Sequence, residues 1–382
     1  MIRVEWVELR EIHLPLVHFF ETSFGRTYQR KIVLLTARAA DGVGYGECTA
    51  GEQPLYSSET TETAWHVLSD FILPRVLGRP LESARDVAPL LAPIRGHEMA
   101  KAALETALWD LEARRAGIPL WRHLGGTRSE IACGVSIGIQ DTIPELLDLV
   151  RREVAAGYRR VKVKIKPGWE VEPLAAIRAE FPDLLLMADA NSAFALSDLE
   201  LLRRLDEFTL MMIEQPLAYH DIVDHARLQR EIRTPICLDE SICSADDARK
   251  AVELGSCRII NVKLGRVGGY AEALRLNDYC ASIGIPLWCG GMLESGVGRA
   301  HNIALSTLSG FTLPGDVSAS KRYYAEDTIR PPVTVTPEGV IRVPQGPGLG
   351  YEVDSERISR ATVRTREFTA EGAAREACDR AS

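Results

Sequence analysis

Five ionisable residues recur along the chain at nearly one interval. Lys164, Asp189, Glu214, Asp239 and Lys263 stand 25, 25, 25 and 24 residues apart, and each closes a short apolar run. Carboxylates at repeated positions can gather a hard divalent cation, and lysines beside them can move a proton. Taken singly, each residue has an ordinary explanation. Asp189-Ala190-Asn191 and Asp239-Glu240-Ser241 read equally well as caps of the helices that follow. Glu214-Gln215-Pro216 reads as a strand exit ended by proline. Capping does not require all five to share one register, whereas a common site does.

The ligand chemistry points the same way. Three carboxylates without a neighbouring His or Cys form an oxygen site that suits Mg²⁺, or Mn²⁺, over zinc or copper. Such an ion acts as a Lewis acid on a substrate carboxylate. In Val161-Lys162-Val163-Lys164-Ile165-Lys166 the lysines alternate with apolar residues and share one face. On an exposed strand that face is simply solvated. On a parallel strand covered on both sides bare lysines are costly, so Lys162 and Lys164 are expected to project into an anionic pocket. Lys263 approaches that pocket from the opposite side. A neighbouring cation would lower a lysine pKa toward the roughly 7–8 that suits a general base.

The elements that must position these residues are legible. From about residue 130, β-branched runs alternate with helical segments, the sign of a parallel sheet with crossover helices. The runs are Ile131 to Ile137, Arg160 to Lys166, Leu184 to Ala190, Leu210 to Gln215, Ile236 to Glu240, Arg258 to Leu264 and Pro286 to Cys289, with Phe311 to Pro314 a weak eighth. Their number and even spacing favour a closed barrel over an open doubly wound sheet. The C-terminal strand ends of a barrel form one rim, where active sites are built. Ahead of them, Val4 to Leu14 and Lys31 to Ala39 read as strands, and Asp41-Gly42-Val43-Gly44 as a turn into a third. Helical stretches follow at Ser58 to Leu77 and Glu98 to Ala116, the second with a core stripe of Leu104, Ala107, Leu108 and Leu111. Val333 to Val343 reads as a hairpin returning to the first domain. The tail after Ile358 reads as a surface helix or frayed end.

The 382 residues suffice for a barrel and a smaller domain. A net charge of −8 argues against a nucleic-acid partner, which would need a basic stripe. The start alternates like a strand, so no signal peptide is expected, and no run approaches the roughly 20 apolar residues of a membrane span. The eight cysteines lack paired spacing and read as buried free thiols of a cytoplasmic protein.

In this order and spacing, Lys162-Val163-Lys164, Asp189-Ala190-Asn191, Glu214-Gln215-Pro216, Asp239-Glu240-Ser241 and Asn261-Val262-Lys263 resemble the muconate-lactonizing subgroup of the enolase superfamily. The resemblance covers nearly the whole chain. Trp288 to Ala300, Leu313 to Ser320, Lys164 to Trp169 and Lys263 to Gly269 narrow it to the o-succinylbenzoate synthase and N-acylamino acid racemase family. The seventh run carries no histidine near Trp288 to Gly291, unlike the mandelate-racemase branch. The resemblance implies an α/β fold: a modified β/α barrel over residues 126–324, covered by an α+β capping domain of residues 1–125 that segment 325–382 completes.

It further implies that Asp189, Glu214 and Asp239 hold Mg²⁺, and that Glu240 supports them. Lys164 would take the α-proton, and Lys263 would stabilise the enediolate or act from the opposite face. Ser136, Lys162, Asn191, Arg266, Gly291 and Met292 are expected to contact a small carboxylate substrate. Each also has a structural reading: Ser136 as barrel packing, Gly290-Gly291 as a tight turn, Arg266 as a solvated loop residue. The loop His18 to Gly25 suits a lid, with Phe19 and Phe24 toward the substrate. A homo-oligomer is implied as well. Two other readings stay open: a dipeptide epimerase or muconate cycloisomerase of the same subgroup, and a non-catalytic barrel. The Gly-Gly-Met-x-Glu run speaks against the epimerase, which should present an acid to the substrate amine there.

Overall fold

Alternating residues near the N-terminus build a sheet. In the computed structural model, which describes residues 1–372, Trp6–Thr22, Gly25–Ala39 and Gly42–Cys48 pair antiparallel as a meander. The edge beside Trp6–Thr22 is completed by Thr362–Thr369. The tail was expected to be helical or frayed. Ser355–Ala361 is indeed a helix, but the next eight residues are this edge strand. Thr362, Val363, Thr365, Phe368 and Thr369 are β-branched or aromatic residues that favour an extended chain there, and the open sheet edge supplies its hydrogen-bond partners. The part of that expectation falling on 373–382 lies outside the described residues.

Helix Glu98–Arg115 packs across this sheet against Gly42–Cys48. The contact is too close for side chains: a Cβ on Gly44 or Gly46 would lie 2.0 Å from the carbonyl oxygen of Ala107 or Ala103. Small residues on both elements set this distance. Leu104, Ala107, Leu108 and Leu111 are all fully buried.

Seven parallel strands follow in sequential order: Gly134–Ile137, Arg160–Lys164, Leu185–Asp189, Ile213–Glu214, Ile236–Leu238, Ile259–Val262 and Leu287–Cys289. The weak eighth run closes the ring irregularly. Phe311 bridges to Leu287 on one side and Gly315 to Cys133 on the other, both parallel. The run Ile131 to Ile137 splits at Cys133. Its first part, Glu130–Ala132, pairs antiparallel with Val340–Arg342. This corrects the expected hairpin: the turn at Thr336 to Gly339 forms, but its second arm joins the entry to the barrel rather than the first domain.

Strand alternation sorts the barrel interior into layers. Met187, Met212, Cys237, Ile259 and Trp288 form an apolar plug. Two residues further along three of these strands come Asp189, Glu214 and Asp239. One register therefore sets an acid ring directly on a dry floor. Among the described residues seven cysteines are free thiols; six are buried, and Cys243 is exposed because it follows the fifth strand in a surface loop. No helix of the described residues is long and apolar enough to cross a membrane.

Carboxylates of the first domain cap barrel helices. Glu47 accepts from Ser295 N at 3.0 Å, Ser295 Oγ at 2.6 Å and Gly298 N at 2.9 Å, at the start of Gly296–Leu305. Glu105 accepts from Tyr270 N at 2.7 Å and Ala271 N at 2.9 Å, at the start of Tyr270–Ile283. Burial outweighs these hydrogen bonds, pushing Glu47 up to about 8 and Glu105 up to about 7. A carboxyl whose folded pKa exceeds its unfolded value contributes stability at low pH and loses it as pH rises through the folded pKa. The denaturant midpoint should therefore fall between about pH 4.5 and 8. Glu47→Gln should flatten that slope; an unchanged slope in chemical denaturation would contradict this account.

Candidate active site

The acid ring and the lysines meet at the C-terminal ends of the strands. Asp189, Glu214 and Asp239 are all fully buried, and Glu214 lies beside Asp189 in the strand register. Lys164 Nζ donates to Asp189 Oδ2 at 2.5 Å and to Asn191 Oδ1 at 2.7 Å. Across the ring, Lys263 Nζ donates to Asp239 Oδ2 at 2.7 Å. The expected pair of lysines on opposite sides is thus present as geometry, each held by its own carboxylate.

Electrostatics follow from those pairings. Burial alone would raise the Asp189 carboxyl, but the Lys164 and Lys162 ammoniums overcome it and hold it at about 2. Asp239 is likewise held well below its ordinary range, because Lys263 and Arg266 outweigh burial. Glu214 goes the other way: burial, and then repulsion from Asp189, push it well up. Glu240 is pushed to about 8 by burial and the neighbouring Asp239 charge. The expected depression of a lysine pKa is not what the protein alone provides. Burial would lower Lys263, but Asp239 holds it above its ordinary value.

The donor set fits a hard divalent ion. It consists of three buried carboxylates on adjacent strands, and one of them is destabilised as an anion by the other two. As placed, their oxygens are engaged by ammonium groups, and no three Asp, Glu, His or Cys side chains among the described residues form a closed cage. A bound cation would take over the charge that the lysines now answer.

Several expected substrate contacts are placed differently. Lys162 lies below the rim, donating to Glu214 Oε2 at 3.0 Å and paired with Asp316 at 2.6 Å, with its ammonium 4.8 Å from the Trp288 ring. Its inward direction is as expected, but its partners are the acids and the plug. Arg266 is neither solvated nor in the cavity wall. It is buried, donating to Asp239 Oδ1, to Asn261 O and, at 2.7 Å, to Ile242 O. It positions Asp239, because a guanidinium fork reaches a carboxylate and two carbonyls at once. Ser136 is buried on the inner face beside Lys162, and its Oγ lacks a partner.

A cavity of about 460 Å³ opens above Lys164 and Lys263, with Asn191, Gly291 and Met292 in its wall. Asn191 is doubly committed, since its Nδ2 donates to Glu240 Oε1 at 3.1 Å. The expected lid is the tip of the long hairpin formed by Trp6–Thr22 and Gly25–Ala39, and Ser23 Oγ donates to Asn191 O at 3.1 Å. Strand alternation turns Phe20 and Thr22 into the cavity, and Phe24 lines it from the turn between the two strands. Phe19 therefore points away, with the Arg26 guanidinium 3.9 Å from its ring centroid. Phe20 takes the inward place expected of Phe19, shifted by an irregularity between Pro15 and Phe20; Phe24 lines the cavity as expected.

Sequence reasoning also missed Tyr56, Asn261 and Asp316. Tyr56 OH donates to Asp239 Oδ1 at 3.0 Å from a loop of the first domain. Asn261 Nδ2 donates to Glu214 Oε1 at 2.6 Å. Its signal was present: it lies two residues before Lys263 on the same strand, hence on the same inner face. Asn191, Ser192, Gln215 and Leu293 adopt left-handed φ of 43, 62, 37 and 56°. These strained residues cluster just past strand ends, where pairing and packing hold the backbone in place.

Comparison with known proteins agrees with this architecture. Residues 5–125 match the mandelate racemase / muconate lactonizing enzyme N-terminal domain, and residues 145–358 match the enolase C-terminal domain-like family. The chain is 56% identical to o-succinylbenzoate synthase of Geobacillus kaustophilus over 362 residues, covering 94% of this chain and 96% of that protein. It is 50% identical to N-succinylamino acid racemase of Thermus thermophilus over 369 residues, covering 97% and 100%. A crystal structure of an enolase superfamily member from Listeria innocua superposes with a TM-score of 0.93 at 42% identity, covering 97% and 100%.

Proposed function

Because the chain belongs to the enolase superfamily, with both domains of the mandelate racemase / muconate lactonizing enzyme type, we propose that it is an o-succinylbenzoate synthase that also racemises N-succinylamino acids. The synthase reaction is the Mg²⁺-dependent syn-dehydration of 2-succinyl-6-hydroxy-2,4-cyclohexadiene-1-carboxylate, a step of menaquinone biosynthesis. The observation that carries the reading is the pair Lys164 and Lys263, set across one cavity with an acid ring between them. The names borne by the relatives from Geobacillus and Thermus support both halves of it.

Asp189, Glu214 and Asp239 would hold Mg²⁺, which supplies positive charge to the substrate carboxylate as it takes up a second negative charge. Lys164, once neutral, removes the proton from the carbon bearing that carboxylate. In the synthase reaction the resulting ammonium returns its proton to the departing hydroxyl on the same face, so that water leaves and the ring becomes aromatic. Lys263 remains protonated and stabilises the enediolate by charge. In racemisation Lys263 instead delivers its proton to the opposite face, inverting the centre. The difficult step is the same in both reactions, so one pocket can serve both.

The rival dipeptide epimerase would need an acid facing a substrate amine. Glu294, the acid of the Gly-Gly-Met-x-Glu run, is outside the cavity wall and accepts from Asn302 Nδ2 at 2.9 Å. Cytoplasmic location and homo-oligomeric assembly belong to the same reading, supported by the family resemblance. Purified protein with Mg²⁺ should convert the cyclohexadiene acid to o-succinylbenzoate and racemise N-succinylphenylalanine, followed by absorbance and by polarimetry. Turnover of neither would sink the reading, and turnover of L-Ala-L-Glu alone would replace it with the epimerase.

A further inference from the structure

Most cations in the cavity wall are already answered. Lys164 is paired with Asp189, Lys263 with Asp239, and Arg26 with both Glu21 and Asp141 at 2.6 Å. Arg30 is different. It lies on Gly25–Ala39 in the wall of the same cavity and is only 8% exposed. Its Nη2 donates to Thr49 O at 2.9 Å, and its Nε is buried without an acceptor. No carboxylate of the described residues lies within 4.0 Å of its guanidinium.

A guanidinium withdrawn from water without a counter-charge is expensive to maintain. Holding the Thr49 carbonyl explains one neutral hydrogen bond, which an amide side chain would supply without that cost. It does not explain a charge with an unused donor. The planar fork matches a carboxylate in two parallel hydrogen bonds. The wall that holds Arg30 and the lysines also includes Phe20 and Met292, apolar surface suited to a short methylene arm. We propose that Arg30 binds the second carboxylate of the substrate, the one at the end of its acyl arm, while the reacting carboxylate lies between Lys164 and Lys263. This rests on the function proposed above and assigns the residue that makes the pocket select diacids over monoacids.

The test is calorimetric titration of the Mg²⁺-loaded protein with o-succinylbenzoate and with its monomethyl ester at the succinyl carboxylate. Arg30→Met should weaken the diacid on the order of 10- to 100-fold and leave the ester unchanged. Arg30→Lys, which keeps the charge but loses the fork, should weaken the diacid by a smaller factor and again spare the ester. Equal weakening of both ligands in Arg30→Lys, or none in either variant, would overturn the assignment and leave Arg30 as a support for Thr49. If Arg30→Met does not fold, as read from its thermal melt, the Arg30→Lys comparison decides alone. A wild type that binds neither ligand would instead remove the functional reading on which the proposal stands.

Discussion

Lys263→Ala should exchange the α-proton of only one enantiomer of N-succinylphenylalanine in D₂O, and Lys164→Ala should exchange only the other. Lys164 ends the second barrel strand and Lys263 directly follows the sixth, each anchored by a different carboxylate, so each is expected to reach only its own side of a planar enediolate. Removing one should slow exchange on its face by about 10³-fold or more, the upper part of the range for a positioned acid or base. The synthase reaction should respond asymmetrically. Proton removal and hydroxide loss both use Lys164, so its alanine variant should lose dehydration altogether. Lys263→Ala should retain a residue of activity, because its contribution there is charge. Proton NMR of both enantiomers with both variants gives four rates. Equal slowing of all four would mean that the lysines do not divide the faces, and would leave their pairing as structural support for the acid ring.

Removal of divalent cation should have an effect of similar size. With a chelator, both activities should fall by about 10³-fold or more and return on adding Mg²⁺. The protein alone shows why. Its acids are answered by the groups that must act as bases, and a lysine held charged by Asp239 cannot accept a proton. A dication on the acid ring would take over that role and lower the proton affinity of both lysines. It would also relieve Glu214, which its acidic neighbours disfavour as an anion. Mg²⁺ should therefore raise the thermal midpoint in a concentration-dependent manner, since it binds the folded state alone. Full activity in chelator, with an unmoved melt, would remove the cation from the mechanism; no activity at any Mg²⁺ concentration, with the same unmoved melt, would return the barrel to the non-catalytic reading.

The parts of this molecule legible in the sequence are those governed by periodicity. A parallel strand buried on both faces is apolar almost throughout, so Asp189, Glu214 and Asp239 stood out at its end. The spacing of one strand, loop and helix placed them on one rim. Alternation also foretold that Lys162 and Lys164 would face inward. It could not foretell their partners, because Asp316, which holds Lys162, lies 154 residues away in a segment that closes the ring without regular pairing. Phe19 was expected in place of Phe20 because the irregularity after Pro15 shifts the alternation, and composition does not mark it. Arg266 was ambiguous for a similar reason: only the fold shows that the segment after Lys263 is a short helix, Leu264–Val267, whose Arg266 reaches Asp239. Tyr56 and Arg30 belong to the first domain, whose contribution to the cavity depends on how it seats on the barrel.

The strand Thr362–Thr369 completes the sheet that begins with Trp6–Thr22, and this has a consequence for biosynthesis. Every barrel strand emerges from the ribosome before that edge does, so the acid ring can assemble beneath a roof that is still missing one side. The hairpin bearing Phe20, Phe24 and Arg30 must wait for residues more than 300 positions later before its sheet is whole. The edge strand pairs with the sheet that carries the hairpin and not with the strands that carry the acid ring, so the order of assembly separates the part that lines the cavity from the part that holds the acids.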